Sequence, residues 1–97
     1  MTIEYRGRKL VPRISAYHEL FGLGLGLEDI LEVLDTGFDC AIGKRKDGVL
    51  ERCLRRGDKV LRVVVAEGIA GYPSGEKEEI YYIIHVSEES WKKGRWQ

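Results

Sequence analysis

The chain contains no asparagine, its only glutamine is Gln97 and its only methionine is Met1. Side-chain amides and thioethers are thermally fragile. Their depletion beside a charged fraction of 33% is the compositional mark of a heat-adapted protein. Long apolar runs are lacking too. Nothing approaches the roughly 20 residues that span a bilayer, so no membrane contact is expected. Residues 1–13 carry four basic groups with no apolar block of signal-peptide length behind them, which predicts a cytoplasmic protein. Cysteine and histidine are scarce. Cys40, Cys53, His18 and His85 are too few and too scattered for a zinc ligand set, so neither a metal nor a cofactor is expected. The two cysteines read as buried free thiols, with a disulfide as the alternative that a heat-adapted organism tolerates.

What is present suffices for a core. A chain of 97 residues, 43% of them hydrophobic, makes one domain over 1–97. The net charge is zero, which disfavours an indiscriminate nucleic-acid binder. The signs nevertheless come in blocks: +3 over residues 1–13, −6 over 14–43, +5 over 44–62, −5 over 63–91 and +3 over 92–97. A basic middle and a basic tail can meet in one surface patch; the same blocks also serve as charged faces of exposed helices and hairpins.

Residues 2–5 alternate Ile3 and Tyr5 with polar neighbours and read as a short strand. Pro12 stops its extension, Ser15 is placed to cap a helix over 16–21, and Gly22 ends it. The alternating Gly22, Gly24 and Gly26 each cost a helix interior up to about 1 kcal/mol and so mark a loop. No buried strand precedes them, so a phosphate-cradling loop is not indicated. Leu27–Thr36 is the clearest helix. Leu27, Ile30, Leu31, Val33 and Leu34 share a stripe opposite Glu28, Asp29, Glu32 and Asp35, and Gly37 is the stop.

From Cys40 onward the period falls to two. Strands are predicted over 41–45, 49–55, 60–67 and 79–86, with Lys46-Asp47-Gly48 and Arg56-Gly57-Asp58-Lys59 as hairpin turns. The last strand is apolar on both faces and belongs inside a sheet. Residues 70–77 form a longer, mobile loop. The expected fold is α+β: two N-terminal helices packed on one face of a three- to four-stranded antiparallel sheet.

Several segments together resemble a family of unknown function related to the BrnT and RelE type toxins. They are His18 in the first helix, Gly24-Leu25-Gly26-Leu27-Glu28-Asp29-Ile30 opening the second and Leu34 closing it. The strand Val60-Leu61-Arg62-Val63-Val64-Val65 and the final Tyr82-Ile83-Ile84-His85-Val86 complete the set. The resemblance covers roughly residues 14–86 and leaves the basic, Trp-containing tail 87–97 outside it. It implies a RelE/BrnT-toxin-like fold and relatives that bind RNA or the ribosome, often cleave mRNA, and pair with an antitoxin-like protein. Members carry arginines after the helix histidine, where this chain has Glu19, Leu20, Phe21 and Gly22.

A ribonuclease without a metal needs a base for the 2′-hydroxyl, cations for the phosphorane charge and an acid for the leaving oxygen. His85, Arg62 and His18 are the catalytic candidates, with Tyr81 on the strand face of His85 by period two. Lys44, Arg45, Arg52, Arg55 and Trp96 are the candidate RNA contacts. Each has a structural alternative. His85 can be a half-buried residue at a strand end, and His18 can hydrogen-bond a core carbonyl. Arg62, alone in the apolar run 60–66, can pair with Glu51 on the neighbouring strand. Arg52, Arg55 and Arg56 fall on alternating faces. The tail, with Trp91, Lys92, Lys93, Arg95 and Trp96, suits single-stranded nucleic acid, a partner subunit, or cover for the sheet. The expected function is toxin-like RNA binding or cleavage. The alternative is a non-catalytic module that forms a homodimer or docks a partner protein through the sheet edge and the tail.

Overall fold

In a computed structural model, which describes residues 3–40 and 46–92, strand makes up 52% of the structure. The order is β1 (Glu4–Tyr5), β2 (Arg8–Pro12), α1 (Ile14–Leu23), α2 (Leu27–Thr36), β3 (Phe38–Asp39), β4 (Val49–Arg56), β5 (Lys59–Gly71) and β6 (Lys77–Ser90). The expectation of a three- to four-stranded antiparallel sheet is corrected. Among the described residues, six strands form one mixed sheet in the order β1-β2-β6-β5-β4-β3, curled into a half-barrel with two helices.

The difference arises at the N-terminus. Arg6 and Gly7, both at positive φ, turn the chain after β1 so that β2 runs back beside it. β2 then pairs parallel with β6, from Lys9↔Ile80 to Pro12↔Ile83. Parallel neighbours need a crossover of about a dozen residues or more, and the two helices provide it. Pro12 therefore closes a strand where the sequence reading has it only as a stop.

Arg13, not Ser15, is the residue before α1, and no side chain caps that end. Gly24 closes the helix in the left-handed conformation, with the Leu25 N–H donating to Leu20 O at 3.0 Å. Of the three alternating glycines, Gly22 is helical, Gly24 ends α1 and Gly26 precedes α2. α2 spans the predicted residues and buries Ile30, Val33 and Leu34. Asp29 Oδ2 accepts the Gly26 N–H at 2.8 Å, and Oδ1 accepts from the Arg56 guanidinium at 3.1 Å. The Gly26 bond, with Arg56 second to it, holds the Asp29 carboxyl below its ordinary range despite partial burial. Gly37 follows α2 with an ordinary φ. It is glycine for lack of room, since a Cβ there would collide with the carbonyl oxygens of Val33 and Cys53.

Ala16, Leu20, Ile30, Val33 and Leu34 from the helices pack with Leu10, Leu61, Val63, Val65, Tyr81, Ile83 and Val86 of the sheet. Each fully buried aliphatic side chain contributes about 1.5–3 kcal/mol. Alternation sends Val60, Val64 and Cys53 to the opposite face, where they are buried outside that cluster. β6 is the interior strand that its two apolar faces predict, lying between β2 and β5. The expected loop 70–77 is shortened to residues 72–76. β5 runs to Gly71, β6 starts at Lys77, and the remainder is tied by Tyr72 N–H to Glu76 O at 3.0 Å. The strand expected over 41–45 lies outside the described residues. Among the described residues, no helix is long and apolar enough to cross a membrane.

Cys40 and Cys53 are not free thiols. Pairing of β3 with β4 sets Phe38 opposite Cys53 and brings the two cysteine Cα atoms to 5.9 Å, where the sulfurs form a disulfide. Closing a loop of sequence separation 13 removes chain entropy from the unfolded state, worth about 3 kcal/mol. Urea unfolding with and without a thiol reductant is expected to differ by that amount, and Cys53→Ala should abolish the difference.

A second expectation concerns acid. The folded carboxyl of Asp29 titrates below its ordinary value of 3.8, so its contribution is complete above that value. It is lost as pH falls through the lower folded value. Asp29→Asn, which has no carboxylate to protonate, should lose less stability than the parent when urea unfolding is followed from about pH 6 to about pH 2.

Candidate nucleic-acid interface

The sheet face turned away from the helices carries two arginines laid on aromatic rings. The Arg13 guanidinium lies 5.1 Å from the centre of the Tyr82 ring, and that of Arg55 lies 4.3 Å from Trp91. Strand register places both pairs on this side. Tyr82 is opposite Ala66 and Glu89 opposite Val60, while Arg55 is also opposite Val60. Residues nine apart on a regular strand face opposite ways, and Tyr82 and Trp91 are nine apart. They share a face because β6 has a bulge: Val64 pairs with His85 but Val65 pairs with Ile83, so Ile84 is an extra residue. The two stacks stand roughly 27 Å apart along the strand at about 3.3 Å per residue.

Local contacts fix each pair. The Arg13 N–H donates to Ile83 O at 3.0 Å, which holds the end of β2 against β6. Tyr82 lies over Gly68, where a Cβ would come within 2.6 Å of the ring. Trp91 is anchored through its N–H to Asp58 O at 2.7 Å, and Arg55 Nε donates to Gly57 O at 2.8 Å. Arginine on an aromatic face gains about 0.5–1 kcal/mol at exposed sites and keeps its N–H edges open to a further acceptor.

Several other cations are committed to carboxylates. Arg8 meets Glu67 and Glu79 at 3.7 and 3.6 Å, Lys9 meets Glu78 at 3.4 Å, and Arg56 meets Asp29 and Glu32 at 3.1 and 2.6 Å. Among the described residues, neither Arg13 nor Arg55 has a carboxylate within ion-pair distance.

The catalytic candidates are not brought together. Arg62 is bound between Glu51 (3.6 Å from Nε) and Glu89 (2.9 Å from Nη2), the cross-strand pairing its place in an apolar run suggests. Glu51 is buried to 5% exposure, and Arg62 helps to compensate its charge. His85 is engaged by α1 instead. Its Nδ1 lies 3.0 Å from Glu19 Oε2, and Glu19 Oε1 accepts the Val86 N–H at 3.1 Å. The bulge also breaks the alternation that links Tyr81 to His85. Tyr81 is buried in the core against Tyr5, while His85 is half-exposed at the helix edge. His18 stands in solvent on α1 with its ring edge-on to Tyr17, not bonded to a core carbonyl.

Among the RNA-contact candidates, Arg52 donates to Gly37 O at 2.5 Å and so braces the end of α2, whereas Arg55 is in the stacked set. Lys44, Arg45 and Trp96 lie outside the described residues. Sequence reasoning misses Arg13 and Glu19. Arg13 follows a strand that the pattern does not reveal, and the Glu19 contact requires the bulge. Among the described residues no cluster of three or more His, Cys, Asp or Glu is disposed to hold a metal ion. No protein-family profile, curated protein or solved structure matches the chain.

Removing Arg62 takes a cation away from the buried Glu51 carboxylate. Arg62→Ala is therefore expected to cost about 3 kcal/mol in urea unfolding at neutral pH. Arg55→Ala, on the exposed rim, should stay within about 0.5 kcal/mol of the parent.

Proposed function

We propose that the protein is a toxin-like domain that binds single-stranded RNA across the helix-free face of its sheet. The observation that carries this reading is the placement of two stacked arginines without carboxylate partners on one face of one sheet. Nucleobases stack on guanidinium planes as on aromatic ones and phosphates take arginine edges, so the exposed Arg13 and Arg55, each backed by a ring, offer a place for one nucleotide apiece. The zero net charge is a sum over the whole chain, and Asp29, Glu32, Glu51, Glu67, Glu78, Glu79 and Glu89 are engaged by other cations. The reading keeps the RNA-binding expectation of the toxin resemblance and leaves cleavage aside. Arg62 is held by Glu51 and Glu89 and His85 by Glu19 on α1, and the two form no common acid–base site.

The test is binding of a labelled single strand and a structured RNA across a salt series. Two phosphate contacts predict that log K falls with log salt at a slope of about −1.4 for the single strand. Tyr82→Ala and Trp91→Ala should each weaken binding about 5- to 100-fold, as loss of a stacked base does. Absence of binding at low salt, or binding untouched by Arg13→Ala combined with Arg55→Ala, would overturn the proposal.

A further inference from the structure

The other conspicuous surface lies on α1. Ile14 and Phe21 are each 79% exposed and Tyr17 is 56% exposed, at i, i+3 and i+7 of one helix, so they form a single stripe. Beside the stripe is a groove of about 310 Å³ lined by Pro12, Tyr17, Leu20, Phe21, Leu25 and Leu27. The chain is one-third charged, yet residues 14–27 hold a single formally charged side chain, Glu19. That carboxylate is engaged by His85 and the Val86 N–H and does not serve the stripe.

We infer that this face is closed by a second copy of the same chain across a two-fold axis. Three features select that occupant. The first is charge: a face without charges offers nothing to a phosphate or a charged peptide and matches best a face equally without them. The second is shape. A two-fold interface uses one patch twice, so the patch must carry both a projection and a recess. Phe21 projects and the groove beside it is the recess. A cavity of about 150 Å³ holds a benzene ring, so the groove has room for the partner copy's Phe21 ring. The third is area. At 150–250 Å² per aromatic side chain, the exposed parts of Phe21 and Tyr17 present on the order of 270 Å². With Ile14 the total approaches roughly 400 Å². A stable interface of about 800 Å² per partner, a little over half of it apolar, needs about 450 Å² of apolar surface. The groove walls supply the remainder.

This interface is distinct from the one expected at the sheet edge and the tail, and it is independent of RNA binding. The experiment is sedimentation velocity of the full chain over a wide concentration range, for the parent, Phe21→Asp and Ile14→Asp. The parent is expected to dimerise, and each substitution should raise the dimer dissociation constant about 30-fold or more. Circular dichroism should remain at the parent's values, since both positions are solvent-exposed. A parent that stays monomeric at the highest concentration overturns the inference. So does a dimer that survives both substitutions, or one that disappears when residues 93–97 are deleted.

Discussion

β6 is hydrogen-bonded along both edges, antiparallel to β5 over nearly its whole length and parallel to β2 over four register positions. A strand in that position has no water to satisfy its backbone, so its register is set by its neighbours. The parallel half of the arrangement constrains everything N-terminal to it. β2 and β6 point the same way, so the chain between β2 and the antiparallel run needs a crossover, and α1 and α2 are that connection. Both helices consequently cover one side, sharing a core with Leu61, Val63, Val65, Ile83 and Val86. The other side of β4–β6 is left to side chains of its own: the Glu51–Arg62–Glu89 ion pairs in the middle and the two arginine–aromatic stacks toward the ends.

The bulge at Ile84 acts on both sides of the sheet at once. An extra residue shifts the alternation of everything after it, which returns Val86 to the core opposite Val63 and turns Trp91 to the face of Tyr82. It also leaves His85 at the point where the strand bends, within reach of Glu19 on α1. Were Ile84 instead paired as in a regular strand, Trp91 would fall on the helix side and Val86 on the helix-free face, so one local irregularity serves both core packing and surface arrangement.

What could be read from the sequence had local causes. α2 is legible because its apolar stripe and its acidic first turn fall within ten residues, and the Asp47-Gly48 turn because two residues suffice to signal it. β6 is legible as an interior strand because both of its faces are apolar, and the Glu51–Arg62 pair because a lone arginine in an apolar run needs an acid nearby. The illegible parts depend on distant partners. β2 shows Arg8 and Lys9 where a core strand is expected to be apolar, and only pairing with residues 80–83 makes it a strand. The disulfide depends on a two-residue edge strand that sequence periodicity cannot register. The stacks depend on a bulge. For α1, the sequence shows apolar residues on more than one side, and only the structure separates Ala16 and Leu20, which are buried, from Ile14 and Phe21, which are not.

The two surfaces that carry the functional proposals occupy separate parts of the fold, and their chemistry is opposed. One is a sheet face where cationic edges sit above aromatic rings; the other is a helix stripe without charge. Neither competes for the other's ligand: phosphate gains nothing from Ile14, Tyr17 and Phe21, and an apolar partner would have to desolvate Arg13 and Arg55 to cover the sheet. A two-fold contact through α1 would leave the helix-free face of each copy open. A strand of RNA long enough to reach both would then gain an intramolecular second contact, which raises avidity without strengthening either site. Modest affinity per site, as two arginine–aromatic stacks supply, is sufficient under that arrangement. The small cationic surface of a neutral chain is then compatible with RNA binding by the assembled protein.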